Sequence, residues 1–191
     1  MRTLCIAAPA LLLAYGLIRL IDGLDGVHGP GWAWTAGHVA FLGSSVLFGV
    51  LCWHLVRLAA PYGGVRRAVA GLGMVLGWFG ALATSVMAGV DLVAGFAGDK
   101  ERMGAVIDLV QSVPGVLPAV YQVGPSLLYV GLIVMVVALT PWRVPYWSPV
   151  LMAGTAIIPL SLDLIPVAAV CVWLALLPVA YQDADRLRTP R

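Results

Sequence analysis

No stretch of this chain stays polar for long enough to form a water-soluble domain, and that constrains its folding more than any motif does. Apolar runs of about 20 residues follow one another with short charged interruptions, and each is long enough to cross a hydrocarbon core of about 30 Å. Inside lipid the backbone finds no water, so a single chain of this kind satisfies its N–H and C=O groups internally, as helices. Only 10% of the 191 residues are charged and 61% are hydrophobic, far from the roughly 25% charged residues of soluble domains. The expected fold class is all-α: a polytopic transmembrane helical bundle forming one domain over residues 1–191.

Charges, Gly/Pro clusters and aromatic residues divide the chain into spans at about 4–21, 34–57, 67–96, 118–140, 149–162 and 164–181. With a cytoplasmic N-terminus, Arg2, Arg57, Arg66, Arg67, Arg143, Arg186, Arg188 and Arg191 fall inside, whereas Arg19, Lys100 and Arg102 fall outside or near it. That asymmetry predicts six helices with both termini in the cytoplasm, and a multi-pass location in a bacterial inner membrane. Trp32 and Trp34 read as aromatic anchors at one interface, and Tyr62, Trp142, Tyr146 and Trp147 at the other.

The last apolar stretch, from Trp147 to Tyr181, reads either as one long kinked helix, which would put the three C-terminal arginines outside, or as a hairpin turning at Ser161, Leu162 and Asp163 between Pro159 and Pro166, the reading that keeps them inside. Its first arm, at about 14 residues, spans only about 21 Å at 1.5 Å per residue. Between the third and fourth spans, Met103, Val106, Ile107 and Val110 recur at helical spacing opposite Arg102, Asp108 and Gln111. This predicts a short amphipathic helix on the outer surface, either a lid or a plain connector.

Two carboxylates stand in apolar sequence, Asp91 in SVMAGVDLVAGF and Asp163 in IPLSLDLIPVAA. An ionisable group at membrane depth costs roughly 2.5–3.5 kcal/mol on insertion scales, so it faces a pocket, a partner or water. Both are candidate catalytic residues. Asp91 belongs to a stripe of Gly77, Gly80, Ala81, Thr84 and Ala88, opposite Val75, Leu76, Phe79, Leu82, Val86 and Val93, which serves helix packing as well as it would serve a site. Asp163 three residues before Pro166 is equally a natural helix N-cap. On the predicted topology Asp22, Asp25, His28, His38, Asp91, Asp108, Gln111, Gln122 and Asp163 all collect in the outer half, which predicts an outward-opening pocket. His38, Thr84, Tyr121, Gln122, Tyr129 and Trp78 are its candidate substrate-binding residues. Tyr121 and Gln122 precede Pro125, whose ring displaces the carbonyl of Tyr121 from helical bonding.

No nucleotide loop, metal-ligand cluster or nucleophile motif is present, and neither a cofactor, a metal nor a nucleic-acid partner is expected. Cys5, Cys52 and Cys171 read as small buried hydrophobes. His38 and His54 lie sixteen residues apart on one helix, about 24 Å, which defeats a bis-imidazole haem site.

Acidic residues beside aromatic faces such as Tyr121, Tyr129, Trp78 and Phe41 allow protonation of an alkene or epoxide and stabilisation of the resulting cation. The arrangement is similar to that of small integral membrane terpene cyclases, compact helical bundles that use acidic residues. The resemblance implies an enzyme acting on an isoprenoid or prenylated substrate drawn from the lipid bilayer. In size, helix count and outward pocket the chain is also similar to the substrate-capture components of energy-coupling-factor transporters, with Ala10 and Ala14 matching an AxxxA docking spacing. That resemblance implies a partner membrane subunit. Segment 139–154, LTPWRVPYWSPVLMAG, resembles the charged loop and Pro-Trp-Pro helix start of uncharacterised actinobacterial membrane proteins of the DUF4386 type, which carry no known activity. A packing or assembly subunit, and self-association into a homo-oligomer, stay open beside the enzyme.

Overall fold

The computed structural model describes residues 1–24 and 28–186. Asp25, Arg188 and Arg191 lie outside the described residues. Seven α-helices account for most of the chain, and no strand occurs among the described residues: α1 (Arg2–Asp22), α2 (Trp32–Ala59), α3 (Gly64–Gly95), α4 (Lys100–Gln111), α5 (Gly124–Leu139), α6 (Trp147–Ala153) and α7 (Ile165–Arg186). Five helical segments are long and apolar enough to cross a membrane: Arg2–Asp22, Trp32–Tyr62, Gly64–Gly95, Leu117–Leu139 and Leu162–Tyr181.

The sixth expected span is not a continuous helix. Residues of the 149–162 stretch form α6, seven residues long, followed by a 3-10 segment over Gly154–Leu160. Ser161 then goes extended, at φ −163° and ψ 134°, and its hydroxyl accepts the backbone N–H of Asp163 to start a single 3-10 turn into α7. The chain does reverse at Ser161, since Gly154 lies against Cys171 on α7. A 3-10 segment rises about 2.0 Å per residue against 1.5 Å in an α-helix, so the stretched winding lets a short arm reach further.

Two ends of the bundle can be told apart by what meets there. At the end holding the N-terminus, the Arg2 guanidinium sits 5.0 Å over the Tyr181 ring, Arg57 sits 4.6 Å over Trp53, and Tyr62 stacks on Trp142 between Arg66 and Arg143. Arg66 also donates to the carbonyls of Ala138 and Thr140, closing the C-terminus of α5. At the opposite end the close of α1 meets the start of α7 through Arg19 and Asp163, 3.9 Å apart.

Helices α3 and α5 cross with almost no side chain between them. A Cβ on Gly80 would lie 2.0 Å from the backbone N of Leu128, and one on Gly131 would lie 2.4 Å from the backbone N of Gly77. Lipid tails are as apolar as leucine, so helices in a membrane associate through such close van der Waals packing. The opposite face of α3 shows Val75, Phe79, Leu82, Val86 and Val93 outward, which is the two-faced pattern the sequence predicts.

The surface helix forms as expected. Asp99 caps it by accepting the N–H of Arg102 at 2.8 Å, Met103 is buried, and Arg102 and Asp108 point outward. Ahead of α5, Leu117–Val123 winds as a π-helix. Pro125 lacks the N–H that would bond the carbonyl of Tyr121 and crowds that carbonyl, and a wider turn relieves both; such turns are common at functional sites.

Candidate functional site at the Asp91 end of the bundle

Asp91 lies four residues before the end of α3 at Gly95. That 32-residue helix is about 48 Å long at 1.5 Å per residue, longer than a hydrocarbon core of about 30 Å, and the carboxylate sits near one end of the bundle, away from its middle. Protein still encloses it. Its side chain is 13% exposed, and Oδ2 stands 3.4 Å from Nε2 of His38, whose side chain is 7% exposed.

The other ring nitrogen of His38 is anchored. Nδ1 lies 2.8 Å from the backbone carbonyl of Trp34, and a carbonyl only accepts, so Nδ1 carries the hydrogen of that bond. Nε2 is thereby turned toward the Asp91 carboxyl group at 3.4 Å. A histidine and a carboxyl group facing each other out of bulk water are residue types able to take up and return a proton.

Three aromatic rings hold the pair in place. The Trp34 indole N–H donates to the Asp91 backbone carbonyl at 2.8 Å, and its ring lies 4.2 Å from that of His38. Gly95 makes room for it, since a Cβ there would meet the indole at 2.6 Å. Tyr15 on α1 sets its ring edge-on to His38 at 5.6 Å and stacks on Phe41 at 4.5 Å. Tyr15 and Arg19 face the same small space. A space of about 10 Å³ lies among Tyr15, Arg19, Asp22, His28, Trp34 and His38, about what one water needs. On its outer side His28 Nδ1 faces Asp22 Oδ2 at 3.4 Å.

A larger groove of about 590 Å³ runs between α5 with its π-helical lead-in and the 3-10 segment before α7. Tyr121, Gln122, Ser126 and Tyr129 line one wall, and Thr155, Ile158 and Ser161 the other. Its π-helical lead-in packs against α3, the helix that carries Asp91. The Tyr121 hydroxyl is buried without a hydrogen-bond partner, so it is free to bond a guest or relay a proton.

The expected site residues are thus divided between locations. Asp91 and His38 meet, and Tyr121, Gln122 and Tyr129 share the larger groove. Asp163 is not buried: its side chain is 63% exposed and pairs with Arg19, while Ser161 takes the capping role expected of it. Thr84 is buried and donates to the carbonyls of Gly80 and Ala81 on its own helix. Trp78 stacks on Trp53 at 5.9 Å, donates to the Gly49 carbonyl and is 44% exposed. Neither of these two lines the groove.

Three participants escape a reading of the sequence alone. Trp34 reads as an interfacial anchor, Arg19 as a loose outer charge, and Tyr15 carries no signal of its own. Their shared signal is spacing: Tyr15, Arg19 and Asp22 recur at four and three along α1, one polar face on an otherwise apolar helix. No group of three or more His, Cys, Asp or Glu suited to a metal ion occurs among the described residues.

Fold and site together define an α-helical bundle with five helices fit to cross a membrane and a histidine–carboxylate pair enclosed near one end. No protein-family model, curated protein or solved structure matches the chain.

Proposed function

We propose that this protein is a small integral membrane enzyme of the bacterial inner membrane that performs acid–base chemistry on a lipid-soluble substrate. The observation that carries the reading is the His38–Asp91 pair, Nε2 and Oδ2 3.4 Å apart and enclosed by protein, in a bundle that also holds a groove of substrate size. The chain crosses the membrane six times with both termini in the cytoplasm. Arg2 beside Tyr181 at one end and Arg19 beside Asp163 at the other support an even number of crossings, and the arginine-rich end supports its inward orientation. Cysteines introduced at Lys100 and Gly64 test this. An impermeant maleimide added to whole cells is expected to label the first and not the second, and the reverse result would invert the topology.

The chemistry is of cyclase type. The pair donates its proton to the oxygen of an epoxide or to an alkene carbon; the π electrons of a neighbouring double bond attack the resulting cation and close a ring. Loss of a C–H proton back to the pair ends the step, so product and substrate are isomers. Tyr121 and Tyr129 supply ring faces for the cation. The test is to incubate purified protein with the terminal epoxide of a long-chain isoprenoid. Wild type is expected to yield an isomer of equal mass, and Asp91→Asn at least about a hundredfold less. Equal turnover by the variant would overturn the assignment of the pair; retention of the isoprenoid without chemical change would favour a capture subunit.

A further inference from the structure

The groove points to the kind of substrate as well as to its presence. From the geometry we infer that it takes a long-chain lipid with an uncharged, hydrogen-bonding head, lying parallel to the helices with the head at the end where the lead-in to α5 begins. This inference rests on the groove being the substrate site of the proposed enzyme.

Two independent features of the lining lead there. The first is its polarity gradient. Tyr121, Gln122 and Ser161 stand at the end where the lead-in to α5 begins, while Val130, Ile133 and Ile158 continue along the wall, where the Thr155 hydroxyl is already bonded to the Met152 carbonyl. From Tyr121 to Ile133 the wall runs roughly 18 Å at 1.5 Å per residue. Polar groups at interfacial depth and aliphatic groups below them reproduce the order of a lipid in its own leaflet, so a lipid enters sideways without turning over. A polar solute would leave the aliphatic half unmatched, and a plain hydrocarbon would leave the buried Tyr121 hydroxyl unbonded.

The second feature is charge. No Asp, Glu, Lys, Arg or His lines the groove among the described residues. Arg19 and His38 line a separate small space and face carboxylates, Asp163 at 3.9 Å and Asp91 at 3.4 Å. A phosphate or diphosphate head would enter a partly desolvated space with no cation to receive it, a costly placement. A hydroxyl, carbonyl or ether oxygen needs only what the wall offers: the Tyr121 O–H, the Gln122 amide and the Ser161 hydroxyl.

Two ligands with one tail test this: geranylgeraniol and geranylgeranyl diphosphate, titrated into purified full-length protein in mild detergent and read by native mass spectrometry. The alcohol is expected to bind one to one, and the diphosphate at least about tenfold more weakly. Ile133→Trp, which fills the aliphatic half, is expected to abolish binding of the alcohol. Equal or tighter binding of the diphosphate would overturn the inference, as would alcohol binding indifferent to Ile133→Trp. Should that variant fail to fold, a diazirine analogue of geranylgeraniol on wild type decides the matter: its label is expected on the peptide from Tyr121 to Ile133, and a label elsewhere overturns the site. Epoxide turnover by wild type separates this inference from the proposed enzyme. Alcohol binding by a wild type that turns nothing over would uphold the groove and sink the acid–base reading; wild-type turnover of an epoxide with no binding of the alcohol would do the opposite.

Discussion

Replacing Gly80 with alanine is expected to force α5 off α3 and to cost about 3 kcal/mol or more of stability. The added Cβ would lie 2.0 Å from the backbone N and 2.5 Å from the Cα of Leu128. A flexible side chain can swing away from such an approach, but backbone inside a helix cannot, so relief requires the two helices to separate. Separation would undo the neighbouring contacts of Gly73, Gly77 and Gly131 at the same crossing, and with them the packing that holds the groove wall on α5 in place. Gly89→Ala is the matched control on the same helix, because a Cβ there meets nothing within 4 Å. It should be neutral or stabilising by up to about 1 kcal/mol through helix propensity. Thermal unfolding in mild detergent, followed by size-exclusion chromatography, reads both. Equal midpoints for Gly80→Ala and Gly89→Ala would show that the crossing is looser than its geometry.

The second large effect is an asymmetry between the two members of the buried pair. His38→Leu is expected to cost about 3 kcal/mol or more, because it strands an enclosed carboxylate whose partner is gone. Asp91→Asn is expected to cost less than about 1 kcal/mol, since the new amide N–H can donate to Nε2 while Nδ1 keeps its bond to the Trp34 carbonyl. Asparagine holds no proton to transfer, so this variant keeps the fold and loses the chemistry. The comparison therefore separates structure from mechanism: midpoints from thermal unfolding report the first, and isomer formation from the epoxide reports the second. If Asp91→Asn unfolded as readily as His38→Leu, the pair would be a packing device and the absence of product would carry no mechanistic meaning.

Much of this architecture is legible in the sequence because lipid leaves few alternatives. A backbone without water must close its hydrogen bonds internally, and continuous apolar runs of about 20 residues do so as helices. The amphipathic α4 and the two faces of α3 follow from helical periodicity, with Gly77, Gly80, Ala81, Thr84 and Ala88 inward and Val75, Phe79, Leu82 and Val86 outward. Asp91 and His38 also stand out, because an ionisable residue among apolar neighbours has to be accommodated somewhere.

Which residues accommodate it is another matter, for pairing lies between helices and no periodicity within one helix encodes it. Only the packing of α1, α2 and α3 brings Tyr15, His38 and Asp91 together, turns Trp34 from an interfacial anchor into a clamp on the Asp91 carbonyl, and sends Arg19 to Asp163. The stretch from Trp147 to Leu160 shows the same division. Its apolar composition marks it for the membrane, but its winding into a short α-helix and a 3-10 segment is settled against α5 and α7. The sequence by itself determined a helical membrane chain with acids that need partners; the tertiary structure alone decided the partners and the groove, because those depend on contacts between residues far apart along the chain.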